Sequence, residues 1–116
     1  MNNALITDEQ RVMLLANGRE SLQNPDFDPE PVVKLFTPDA GATWLLTEID
    51  PDDHDHAFGL CDLGLGMPEI GWVSLGELAT VRGGLGLPIE RDLAFRAEKR
   101  LSAYARDARL AGRVVV

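Results

Sequence analysis

Thr43-Trp44-Leu45-Leu46-Thr47-Glu48-Ile49, then Asp50-Pro51-Asp52-Asp53-His54-Asp55-His56, then Ala57-Phe58-Gly59-Leu60-Cys61-Asp62-Leu63: two short apolar runs stand either side of an acidic, proline-bearing break. Threonine, isoleucine and the aromatic residues suit a pleated, half-buried backbone. Pro51 presets φ, and the aspartates around it can fold back onto their own main chain, so Pro51–Asp55 reads as a turn. Strands joined this closely pair antiparallel, because a parallel pair needs a crossover of a dozen or more residues. Working outward, Val32–Thr37 ("VVKLFT") is a preceding strand, separated by the turn Pro38-Asp39-Ala40-Gly41. Glu69–Leu75 ("EIGWVSL") is a following strand, joined by Gly64-Leu65-Gly66-Met67-Pro68. The result is a four-stranded antiparallel meander. Gly59 and Gly71 fall inside their strands, where glycine marks a bulge or a close backbone approach.

Helices flank these strands. Thr7-Asp8-Glu9-Gln10 has a capping box and two acids at the positive end of the dipole. Val12, Leu15, Ala16 and Leu22 follow at near-helical spacing, and Gly18 predicts a stop around residue 17. Pro25, Pro29 and Pro31 make the next segment an irregular connector. Ser74-Leu75-Gly76-Glu77 is a second capping signature and predicts a short helix to about Val81, after which residues 82–92 read as loop. Ser102 is the expected cap of a last helix with the stripe Leu101, Tyr104, Ala105 and Ala108. Gly112 ends it, leaving Arg113–Val116 as a tail or a late edge strand. The expectation is an α+β fold in one domain, residues 1–116. It has an antiparallel four-stranded meander with an N-terminal helix, a short helix after the last strand and a C-terminal helix, and helices cover one face of the sheet.

Composition restricts the function classes. A hydrophobic share of 45% and a charged share of 26% are those of a globular protein. No apolar run approaches the length of a membrane span. The opening MNNALITDEQ has neither a basic nor an apolar signal region, and Cys61 alone cannot make an internal disulfide. A cytoplasmic protein is expected. The net charge of −8 is uneven: residues 20–62 hold eleven carboxylates against Lys34, whereas residues 82–113 hold eight bases against four acids. Such asymmetry can steer a partner or pair a molecule with its own copy, and it can also be satisfied within one fold.

Residues 50–56 concentrate four carboxylates and both histidines. Asp50, Asp52 and Asp55 have part of the spacing of a calcium loop. The sixth position, which needs glycine, is Asp55, and the twelfth, which needs glutamate, is Cys61. His54 and His56 could ligate zinc as i, i+2 neighbours, but no further cysteine or histidine completes the set. A solvated turn accounts for the same residues. Gly64-Leu65-Gly66 and Gly84-Leu85-Gly86 begin dinucleotide fingerprints that fail at Glu69 and Ile89. Gly71-Trp72-Val73-Ser74-Leu75-Gly76 has one residue too many for a nucleophile elbow, and Ser74 is placed as a cap. Cys61 reads as a small core residue, and Glu90-Arg91-Asp92 as a surface ion cluster. No catalytic residue is assigned and no cofactor is expected. Arg106, Arg109 and Arg113, at helical spacing, form a candidate basic face that could meet phosphates. Trp44 and Trp72 are either core or interface anchors.

"VVKLFTPDAGATWLLTEIDPDD", "AFGLCDLGLGMPEIGWVSLGEL" and "GLGLPIERDLAF" resemble a proteobacterial family of small proteins, the domain of unknown function 2958. Family members often occur among accessory genes of plasmids and other integrating elements, so the resemblance implies a bacterial protein with a mobile-element role. It carries no catalytic residue with it. The expected function is a non-catalytic acidic interaction protein, one that could counter host defence. Its partner would be another protein with a basic surface, met by Glu48, Asp50, Asp52, Asp53, Asp55, Trp44 and Trp72. The alternatives are a metal-binding module or metal-assisted hydrolase using His54 and His56, and a DNA-binding accessory protein using the Arg106–Arg113 face. No membrane contact is expected, and self-association stays open.

Overall fold

A computed structural model describes residues 5–116; Met1–Ala4, the start of the stretch read as lacking a signal, lie outside the described residues. In chain order the elements are α1 (Asp8–Gln23), β1 (Val33–Phe36), β2 (Thr43–Asp50), β3 (Asp53–Asp62), β4 (Glu69–Ser74), α2 (Leu75–Leu78), β5 (Glu90–Arg91) and α3 (Leu101–Ala111). The strands form one antiparallel sheet in the order β4-β3-β2-β1-β5. The meander is therefore present and gains a fifth strand. Glu90 and Arg91, read as loop, pair with Phe36 and Leu35 at the far edge, and the Lys34–Asp92 ion pair at 3.2 Å fastens that pairing.

Helices cover both faces of the sheet rather than one. Trp44, Leu46 and Ile49 join Leu14, Val33, Leu35 and Ala57 in a core beneath α1 and α2. Leu45 and Leu60 point the other way and pack with Leu101, Tyr104, Ala105 and Ala108 of α3. A strand buried on both faces has no alternation to show, so Trp44-Leu45-Leu46 is apolar throughout. A bulge sets the register. Leu46 pairs with Gly59 and Glu48 with Phe58, leaving Thr47 extra and returning Ile49 to the α1 side. Thr47 is fully buried, yet its hydroxyl donates to the Phe58 carbonyl at 3.2 Å and its carbonyl accepts from the Asn17 amide at 2.9 Å.

The capping box at Thr7 and Gln10 starts α1 as expected, but the helix runs through Gly18 to Gln23. Gly18 is a packing residue: a Cβ there would penetrate the Ile49 carbonyl oxygen and crowd the Pro51 ring. The buried face is Leu14 and Gly18, whereas Val12 and Leu22 are exposed. Ser74 caps α2, which is a single turn. The cap of α3 also differs from expectation. Arg100 is the N-cap and offers no side-chain bond; Ser102 lies inside the first turn, where both its amide and its hydroxyl donate to the carboxylate of Asp28. Gly112 ends α3 in the left-handed region, at φ 76°. The residues beyond it form a tail rather than a strand, anchored where the Val114 amide donates to Asp62 at 2.9 Å. Among the described residues no helix is long and apolar enough to cross a membrane.

Candidate functional site

The acidic stretch is more structural than its composition suggests. The β2–β3 turn is Pro51-Asp52 alone, with Asp50 paired to Asp53; Asp53, His54, Asp55 and His56 belong to β3. The pairing with β2 resumes at Ala57, so His54–His56 bulge away from β2 and only His56 pairs with β4, opposite Ser74. Asp50 accepts the Asp52 amide at 2.8 Å and Asp53 the Asp55 amide at 3.2 Å, the short loop-closing bonds aspartate makes at turns. Asp55 accepts the Ser74 hydroxyl and, at 2.8 Å, the Gly76 amide. These two donors, with a smaller contribution from His56, hold its carboxyl below the ordinary value. Asp62 accepts from Gly64 and Val114. Asp39 accepts the Leu85 and Leu87 amides and so pins the glycine loop 83–87, while its other oxygen is enclosed without a hydrogen-bond partner.

These carboxylates mostly replace missing backbone partners, at separations from 2 to 74 residues. No local sequence pattern announces the long ones. Asp52, at the turn, is exposed. Glu48 is buried, at 8% exposure, and is not presented to a partner. Burial pushes its carboxyl upward, the nearby Asp50 charge adds to that, and a hydrogen bond from Ser21 opposes it.

His54 Nε2 lies 3.1 Å from the Pro51 carbonyl and His56 Nδ1 2.6 Å from an Asp53 oxygen. Each ring is engaged within its own turn. Among the described residues no group of three or more His, Cys, Asp or Glu side chains is placed to hold a metal. The Ser74 hydroxyl bonds to Asp55 and receives the Glu77 amide, as a helix cap does. Cys61 is half-buried on β3, and burial, together with the Glu69 charge across the strand pair, pushes its thiol up to about 11. A thiol so shifted is neutral at pH 7 and a poor nucleophile.

The tryptophans separate. Trp44 is 3% exposed and belongs to the core, so it is not a contact residue. Trp72 is 52% exposed on β4, the edge strand, with its ring 5.1 Å from that of Phe58. A shallow hollow of about 430 Å³ runs beside it, bordered by His56, Ser74, Glu77 and Val81. Ile70, on the same strand, is 40% exposed, and Leu63, Leu65 and Met67 are exposed in the loop that enters it. This apolar edge lies between two charged ends. Asp53, Asp55 and Glu77 stand where β4 finishes, and Arg109 stands at its start, beside Glu69 and Ile70. Arg106 and Arg109, three apart in α3, lie on one side of that helix, whereas Arg113 falls beyond its end. Arg106 lies 3.8 Å from the Asp107 carboxylate, Arg109 meets the β3–β4 loop, and Arg113 follows the helix end. Asp107 is also bonded to Lys99, whose ammonium stands 4.9 Å over the Tyr104 ring.

No curated protein and no solved structure matches the chain. A family model described as a protein of unknown function (DUF2958) matches residues 5–115. The family extends over both helical layers, the sheet and the edge strand with its two charged ends, and the chain belongs to it.

Proposed function

We propose that the protein is a non-catalytic interaction module that engages other proteins through the β3–β4 edge. One observation carries the reading: a half-exposed tryptophan, backed by Phe58, stands on an open edge strand. Tryptophan is among the residues most enriched at binding hot spots. A strand edge also offers unpaired amides and carbonyls to an incoming chain. The carboxylates at the end of the hairpin supply charge that steers a basic surface toward it. Asp52, Asp53 and Asp55 are exposed contributors, and Trp72 is the anchor. The engagement of the histidines, the capping role of Ser74 and the raised thiol of Cys61 weigh the reading away from catalysis. In keeping with the accessory plasmid genes among which such proteins occur, the module would act in a bacterial cytoplasm on proteins of the element or of its host.

The test is capture from the native host with the purified protein as bait, against the Trp72→Ala and Asp52→Asn/Asp53→Asn variants. The expected result is a discrete partner whose recovery falls with salt and falls at least tenfold with Trp72→Ala, about the loss a hot-spot residue gives. Equal recovery on all three baits would refute the reading.

A further inference from the structure

The two sheet edges are unequal. At one end β5 is only two residues long, the short kind of edge that proteins leave safely open. At the other, β4 pairs with β3 over six consecutive residues without a bulge, and its sequence, Glu69-Ile70-Gly71-Trp72-Val73-Ser74, contains no proline or lysine. Two of its side chains, Ile70 and Trp72, are large, apolar and substantially exposed. Among the described residues no strand pairs with this edge and no bulge, proline or lysine blunts it, the usual defences against pairing with another chain. Gly71, at its centre, is also unaccounted for within one copy, since a Cβ there would meet nothing within 4 Å. Strand glycines commonly mark the approach of another backbone.

Charge decides what approaches. The edge is polarised along its length: Asp53, Asp55 and Glu77 lie at the Ser74 end, whereas at the other end the Glu69 carboxylate stands beside Arg109. The end of α3 adds Arg113 on that side, since Gly112 lies against the loop at Gly66. A strand that pairs antiparallel with an identical strand places each acidic end against the other's basic end. We propose that β4 pairs with β4 of a second copy about a two-fold axis through Gly71, giving a continuous ten-stranded sheet. The proposal rests on the reading of β4 as a contact edge and names its occupant. In this register Ile70 lies opposite Trp72 of the second copy, twice over, an aromatic–β-branched pair on one face of the sheet. Ser74 to Glu77 reach the stretch Leu65 to Pro68 of the second copy, where Arg109 stands. The isologous contact closes on itself, so it ends at a dimer rather than a fibre.

The test is the mass in solution by light scattering coupled to size exclusion, at low salt and up to about 500 μM protein, well above the dissociation constants of specific dimers. The chain has a mass of 12.7 kDa, and twice that mass is expected. Ile70→Lys, which puts a guarding charge on the edge, should give the single-chain mass with an unchanged urea midpoint. Glu77→Lys and Arg109→Glu should each weaken association by roughly tenfold, and the double exchange should restore it, because the two charges meet across the axis. A single-chain mass at every concentration overturns the proposal, as does a dimer that Ile70→Lys leaves intact or a double exchange no better than the singles. A single-chain mass would not touch the broader reading of the edge, which stands or falls on loss of the captured partner with Trp72→Ala.

Discussion

Replacing Gly18 by alanine reverses the usual sign of a helix substitution. In an exposed helix interior, glycine to alanine stabilises by about 1 kcal/mol through lost backbone entropy and better propensity. At Gly18 the new methyl would lie inside the Ile49 carbonyl oxygen, with the Ile49 carbonyl carbon at 3.1 Å and the Pro51 ring at 3.2 Å. The obstacle is backbone of β2, paired at Ile49 with Ala57 of β3, so it cannot rotate aside as a side chain would. α1 must therefore lift from the sheet, loosening Leu14 and the Asn17–Thr47 bond on the same face. Overpacking of this kind costs roughly 1–3 kcal/mol, and losing the buried hydrogen bond adds about 1 kcal/mol. Against the propensity gain, a net loss of about 2 kcal/mol is expected. For a domain of this size that lowers the melting temperature by about 10 °C. Urea unfolding followed by circular dichroism measures it, with a lower midpoint and an unchanged slope. A neutral or raised midpoint would show that α1 does not seat on Ile49 and would refute the packing described for this helix.

Asp28→Ala should destabilise by about 1 kcal/mol, the usual worth of a helix cap, although Asp28 lies 74 residues before its target. With Ser102→Ala it should be non-additive in a double-mutant cycle; simple additivity would contradict the bond. Glu48→Gln should raise the melting temperature at neutral pH. Burial raises the folded-state pKa, so the favourable contribution belongs to the neutral acid, is complete below the ordinary glutamate value and is lost as pH rises through the raised one. The advantage of glutamine should vanish in acid, and a constant difference across pH would refute it. For Asp55 the direction is opposite: its stabilisation is present above the ordinary aspartate value and lost as pH falls through the lowered one. Asp55→Asn should flatten the acid limb of the stability profile, and an unaltered limb would contradict the Ser74 and Gly76 bonds. Cys61, with a thiol at about 11, should react slowly with a thiol reagent at pH 8 until the chain is unfolded; rapid native labelling would contradict its burial.

How far the sequence predicts this molecule depends on how local each feature is. β1 to β4 were legible because their residue types and turns lie within a few positions of one another. The unbroken Trp44-Leu45-Leu46 carries the signal of two-sided burial, which the expectation of helices on one face only does not use. β5 was not legible, since a two-residue strand that pairs with β1 from far along the chain has no pattern of its own. Gly18 and Ser102 mislead for one reason. Their local chemistry favours a stop and a cap, and contacts with Ile49 and Asp28, far away in the chain, decide otherwise. The candidate site divides in the same way. Clustering of charge at residues 50–56 is visible in sequence, but which carboxylates serve the backbone depends on the fold. That Trp72 is exposed and Trp44 buried follows from strand order, an edge against a centre.

The central claim, that the β4 edge is where this protein meets other chains, is tested most directly by a photo-crosslinking amino acid placed at position 72 in the native host. Position 93, where Leu93 is 85% exposed in the turn after β5, at the opposite edge of the sheet from β4, serves as the control. A discrete crosslinked species from position 72, and none from position 93, is the predicted result. No adduct at position 72, or the same adducts from both positions, would contradict it.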